Sequence, residues 1–132
     1  MPEHRIRLRG PWDCSAAGEA GPGRRVDLPL ADAGALPTRS RLARKFGRPP
    51  YDPALDSLRL ELADVPGLLG VRLNGVDCRP ADPGGPRWSI PIDDPLPSRN
   101  ELTLDVDLSG LGDLAAPWGS IALVIGPKGR GP

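Results

Sequence analysis

The sequence predicts an all-β chain folded as an antiparallel β-sandwich of jelly-roll type, in about eight short strands. Two observations carry that expectation. Apolar residues alternate with polar ones at period two along most of the 132 residues, and no amphipathic helical period recurs. The 17 glycines and 18 prolines punctuate this alternation at short intervals, which marks turns between strands. Disordered low-complexity chains lack such regular alternation. Short strands with inward-facing alternate residues and Gly/Pro turns are the pattern of a sandwich or jelly roll, with a closed barrel as the main rival. A chain of this length buries one core without staples. No repeat or linker interrupts it, so residues 1–126 are expected to form one domain and residues 127–132 a frayed tail.

The elements follow in order. Ile6 and Leu8 alternate with arginines in a first strand that continues towards Trp12. Ala16 to Gly23 is small and Gly-rich, hence a loop. Val26, Leu28 and Leu30 alternate in a short strand that closes at Pro29, which suggests a sheet edge. Ala31 to Pro37 has room for one helical turn. Arg41 to Gly47 reads as a strand with Leu42 and Phe46 on one face, and Arg44 shares that face, so it must lie near an edge or be paired. Arg48 to Pro53 is a proline-stiffened loop. Leu58, Leu60 and Leu62 alternate with Arg59, Glu61 and Ala63, and after a Pro-Gly break Val71 and Leu73 lead into Asn74-Gly75. Asn-Gly is the strongest short-range hairpin signal, because a type I′ turn needs positive φ at both central positions. Val76 to Cys78 starts the return arm. A turn-rich loop from Arg79 to Arg87 precedes Trp88, Ile90 and Ile92 on a short strand. Asn100 to Leu108 is the cleanest strand, with Leu102, Leu104, Val106 and Leu108 inward. Gly110 to Pro117 connects it to a closing strand from Trp118 to Ile125, with Ile121, Leu123 and Ile125 inward.

Bulk composition narrows the function. Seventeen basic residues, fifteen of them arginine, balance 17 acidic ones, so nothing suggests a phosphate-backbone binder and no nucleic acid is expected as a partner. The N-terminus has no apolar segment of a signal peptide, and no apolar run is long enough to span a membrane. A cytoplasmic location is therefore expected. Cys14 and Cys78 match no zinc spacing and are read as reduced side chains, with one disulfide as the alternative.

Several segments, taken in order, resemble the sugar-binding jelly-roll domain at the front of the family-two glycoside hydrolases, such as β-galactosidases and β-glucuronidases. They are the strand ending at Phe46, the Leu58–Leu62 alternation with its following ADVPG, and Val71-Arg72-Leu73-Asn74-Gly75. The aromatic-led Trp88-Ser89-Ile90 and the run Arg99-Asn100-Glu101-Leu102-Thr103-Leu104 complete the set. The resemblance covers roughly Leu42 to Leu108. It departs from the family after Gly75, where Val76-Asp77-Cys78-Arg79-Pro80 stands, and at Ile92-Asp93-Asp94-Pro95. It implies a galactose-binding-like sandwich of the kind that is accessory in those enzymes, where catalysis lives in another domain. Fold does not carry function across by itself.

The residues that could carry chemistry are few. His4, the single histidine, lies among charges near the terminus and is read as solvated. Asp105 and Asp107 share a face, but it is opposite Leu104 and Val106 and hence solvent. The adjacent Asp93 and Asp94 point to opposite sides of a strand, with oxygens for a structural calcium as the alternative reading. No metal or cofactor is expected. Gly21 to Gly23 and Pro83 to Gly85 lack the strand-to-helix context of a phosphate loop. Arg39, Arg41, Arg44, Lys45 and Arg48 are read as a solvated or Asp-paired surface. Trp88 alternates with Ile90 and Ile92 and is assigned to the core, while Trp12 and Trp118 sit at strand ends where exposure is plausible. If a carbohydrate is bound, the expected patch is Trp118, Tyr51, Arg48 and Asp52 at a loop end. The leading expectation is a non-catalytic module for carbohydrate, and the alternative is a protein-interaction or structural domain.

Overall fold

The computed structural model describes residues 3–16, 24–28, 39–52, 54–65, 67–78, 87–92, 96–109 and 118–127. Among them the chain forms ten strands: β1 (His4–Arg7), β2 (Trp12–Ala16), β3 (Arg24–Val26), β4 (Arg39–Gly47), β5 (Asp56–Ala63), β6 (Leu68–Leu73), β7 (Val76–Cys78), β8 (Arg87–Ile92), β9 (Arg99–Asp107) and β10 (Ser120–Pro127). All pair antiparallel, in a four-stranded sheet of order β1-β10-β5-β8 and a six-stranded sheet of order β3-β2-β4-β9-β6-β7. From β4 onward the chain crosses between sheets at each long connection, which is jelly-roll behaviour.

The alternation explains this directly. On β9 Asn100, Leu102, Leu104 and Val106 are buried, and on β5 Leu58, Leu60 and Leu62 are buried. Ile121, Leu123 and Ile125 of β10 join them, with Val71, Leu42, Ile90, Trp12 and Trp118, in one core between the sheets. Each such leucine, withdrawn from water, contributes about 1.5–3 kcal/mol. The hairpin between β6 and β7 turns at Asn74 (φ 54°) and Gly75 (φ 83°), the doubly positive geometry that Asn-Gly predicts.

Three features depart from the sequence expectation. The count is ten strands and not eight, because β7 completes the hairpin and the first strand is two. Its alternation breaks at Gly10-Pro11, so Ile6 serves the four-stranded sheet and Trp12 opens a strand of the other. Pro127 lies in β10, opposite Asp56, and not in a tail. His4, at the start of β1 opposite Ile125, is exposed as its reading expects. The expectations for residues 17–23, 29–37, 79–86, 93–95, 110–117 and 128–132 fall outside the described residues, among them the Asp93-Asp94 reading.

Neither cysteine forms a disulfide, and Cys14 is buried and Cys78 half-buried. They lie on β2 and β7, four strand steps apart across the six-stranded sheet. At about 4.8 Å per step that is about 19 Å, far beyond the reach of a disulfide. Burial pushes the Cys78 thiol up, an effect that a backbone hydrogen bond at Leu73 only partly offsets.

Candidate functional site

The residues expected to form a sugar patch do not meet. Arg48, Tyr51 and Asp52 do cluster, in the connection from β4 to β5. The Arg48 guanidinium lies 5.3 Å from the Tyr51 ring centre, so one ring face is already taken. The Tyr51 hydroxyl accepts a hydrogen bond from the Leu96 amide at 3.1 Å. Asp52 is spent on its own turn: its Oδ1 accepts from the Ala54 amide at 2.9 Å and its carbonyl accepts from the Asp56 amide at 2.7 Å. Trp118 stands elsewhere. Its neighbour Gly119 donates to the Asp64 carbonyl at 2.8 Å, just past the far end of β5. Tyr51 and Asp52 adjoin Asp56 at the near end, so the eight residues of β5 separate the two groups. That is about 25 Å of extended chain. Trp118 is also only 1% exposed, packed in the core. The chain beside it is tightly packed as well: at Gly119, with φ +90°, an added Cβ would stand 3.2 Å from a Leu28 methyl.

A depression of about 290 Å³ opens on the outer face of the four-stranded sheet. Its walls are Arg5 and Arg7 of β1, Glu61 and Asp64 at β5, and Arg87 and Ser89 of β8, while Trp88 between them packs half-buried against the core. Its floor is small, because Ala122, Ser120 and Ala63 occupy the outward positions between those strands.

One flank of this surface is braced by ions. Arg5 reaches Glu61 at 2.7 Å, Arg59 reaches Glu3 at 2.8 Å, and Arg59 also holds Glu61 at 2.9 Å. Both β1–β5 bridges must pass over β10, which lies between those strands. This explains why Val124, an outward residue of β10, is 0% exposed. Burial pushes the Glu61 carboxyl up, but hydrogen bonds from Arg5 and Arg59 outweigh it and hold the group below its ordinary 4.5. The hydrogen bond from Arg59 lowers Glu3 in the same way. A carboxylate depressed on folding stabilises the fold above its unfolded pKa, and that contribution is lost as pH falls through the folded value. The wild-type urea midpoint should therefore drop on acidification below about pH 4.5, and drop less in Arg59→Gln. Equal acid sensitivity in the two proteins would show that the network is not coupled to folding.

The other face of the molecule follows the sequence reading. Asp105 and Asp107 point outward from β9, paired with Arg41 at 2.9 Å and Arg39 at 3.8 Å. Arg44 faces inward, half-buried; its Nη1 donates to the Lys45 carbonyl at 3.3 Å, and burial lowers its pKa. Among the described residues no cluster of three or more His, Cys, Asp or Glu side chains could hold a metal ion. No helix among them is long and apolar enough to cross a membrane.

Sequence reasoning missed the depression because its residues are the polar partners in the alternation. Arg7, Glu61 and Ser89 read individually as solvent-facing, and only the strand order β1-β10-β5-β8 brings them onto one surface.

Strand order, crossings and the hairpin together define an antiparallel β-sandwich of jelly-roll type. No family model matches the chain, and no curated protein matches it. Solved structures do. The chain is similar to a β-glucuronidase from an uncultured Clostridium sp., with TM-score 0.72 and 14% identity over 96% of this chain and 29% of that one. It is similar to an FMN-binding β-glucuronidase from Facaelibacterium prausnitzii, with TM-score 0.70 and 17% identity over 93% of this chain and 22% of that one. A β-D-mannosidase from Dictyoglomus thermophilum aligns with TM-score 0.66 and 15% identity over 93% and 22% of the two chains. The chain thus shares the fold of one part of these glycosidases and spans less than a third of their length.

Proposed function

We propose that this chain is a non-catalytic binding module that recognises carbohydrate through the depression on the outer face of its four-stranded sheet. The observation that carries this reading is the composition of that surface: guanidinium, hydroxyl and carboxylate groups converge over a floor of small residues. Concave sites with a few convergent polar groups are the usual form of small-ligand recognition. The likeness to glycosidases supports the same reading, since in them this fold is a minor part of a longer chain. The non-catalytic part draws on how the described acids are engaged. Glu61, Asp105 and Asp107 are each held by arginine, and Asp52 closes a turn.

A glycan array with the whole chain tests the proposal. Wild type should bind a defined set of saccharides. Ser89→Ile, which puts bulk into the depression from an exposed position on an edge strand, should weaken that binding at least about tenfold. Tyr51→Ala, at the opposite end of β5, should leave it unchanged. Loss of binding in Tyr51→Ala with Ser89→Ile unaffected would move the site to the Arg48–Tyr51 cluster. Absence of binding across the array would sink the carbohydrate reading.

A second reading, docking onto a protein, rests on Val76. This residue is exposed on β7, the short strand at which the six-stranded sheet ends among the described residues. An open edge with an apolar side chain is a site for strand addition. Val76→Lys should abolish such an interaction and leave glycan binding intact.

A further inference from the structure

Within that binding-module reading, on which this step rests, we infer that the saccharide carries a carboxylate, held between Arg7 and Arg87. The outward arginines of this chain fall into two groups. Arg39, Arg41, Arg59 and Arg72 each meet an acid on the same or a neighbouring strand, and Arg5 meets Glu61. Exposed Arg9, Arg25 and Arg99 make no side-chain ion pair or hydrogen bond among the described residues, and neither do Arg7 and Arg87, which are also exposed. Yet both line the same depression.

Their placement follows from register. Arg7, Ala122, Glu61 and Ser89 are successive Cα partners across β1, β10, β5 and β8. Ser120, Ala63 and Arg87 form the next outward row. Arg87 lies two residues along β8 from Ser89, which is three strand steps from Arg7, so the Cα atoms of the two arginines stand about 16 Å apart. The two guanidiniums therefore approach the alanine and serine floor from opposite edges, at a separation that long side chains close around a sugar ring.

Charge and geometry select the ligand. Three guanidiniums face two carboxylates around the depression, which leaves one positive charge for a monoanion. A guanidinium presents its donors as a planar fork that matches a carboxylate bidentately. Ser89 and Ser120 supply hydroxyls, and Asp64 supplies an acceptor for the ring hydroxyls of the same molecule. Glu61 is already engaged by Arg5 and Arg59 and braces the wall.

Calorimetric titration of the whole chain tests this with D-glucuronate- and D-galacturonate-terminated disaccharides, their neutral counterparts, and 6-sulfated counterparts. The uronates should bind at least about tenfold tighter than the neutral sugars, the usual weight of a charge-assisted contact. The preference should shrink as salt rises and vanish in Arg7→Gln/Arg87→Gln. Arg48→Gln, at the other end of the sandwich, should keep it. Equal affinity for neutral and uronate sugars, or a uronate preference that survives the double substitution, overturns the carboxylate assignment and leaves the binding-module reading standing. Tighter binding of the sulfated sugars has the same consequence. No binding of any saccharide by a chain whose circular dichroism shows it folded overturns both.

Discussion

Trp118→Ala is expected to lower the free energy of unfolding by about 3–5 kcal/mol, the range for removing a fully enclosed indole. Trp118 is 1% exposed, and it packs in the core with Leu28 beside the tight turn at Gly119. Truncation to alanine leaves an apolar volume without partner atoms, and its lining loses its contacts. A domain of this size has only about 5–15 kcal/mol in total, so the variant should unfold at a much lower urea concentration. A change below about 1 kcal/mol would show that the indole is not part of the core. A practical consequence follows for binding studies. Loss of glycan binding in this variant would report unfolding, whereas Ser89→Ile and Arg7→Gln/Arg87→Gln alter an exposed surface and test contact directly.

Asn100→Ala is expected to cost about 1–3 kcal/mol, the penalty for orphaning buried hydrogen-bonding groups. Asn100 is 4% exposed on the inner face of β9, a polar residue among leucines. Its Nδ2 donates to the Pro97 carbonyl at 3.0 Å, and its Oδ1 accepts from Asn74 Nδ2 at 3.0 Å. Asn74 in turn accepts the Glu101 amide on its Oδ1 at 2.9 Å and donates its own amide to the Glu101 carbonyl at 2.9 Å. The hairpin turn is thereby tied to the start of β9. A double-mutant cycle with Asn74→Ala should return a coupling of about 0.5–3 kcal/mol, and strict additivity would show that the two amides act independently.

This pair shows what a resemblance to a family can contain physically. In the sequence, Asn74-Gly75 and Asn100-Glu101-Leu102 are separate signatures, one a turn and one a strand start. In the fold they are one hydrogen-bonded joint between neighbouring strands. Asn74 was legible as a turn residue because positive φ is a local demand. Its bond to Asn100 was not legible, because nothing local says that β6 pairs with β9.

The site shows the same division. Tyr51, Arg48 and Asp52 were recognisable as neighbours, since five consecutive chain positions stay together in any fold. Adding Trp118 needed a long-range placement, and the register of β10 against β5 puts it at the opposite end. The unpaired Arg7 and Arg87 carried no signal, because an arginine alternating with apolar residues looks alike whether an acid stands opposite or not.

The sequence by itself determined the all-β class, the inward residues of β5, β9 and β10, and the hairpin at Asn74-Gly75. Each of these depends on side-chain period or on backbone sterics within a few residues. Only the tertiary structure decided which strands adjoin, that the first strand divides between the sheets, that Trp118 is sealed inside, and that Arg7 and Arg87 flank one depression. Those outcomes depend on pairing between segments far apart in the chain. Alternation specifies which face of a strand is apolar and leaves open which strand it meets.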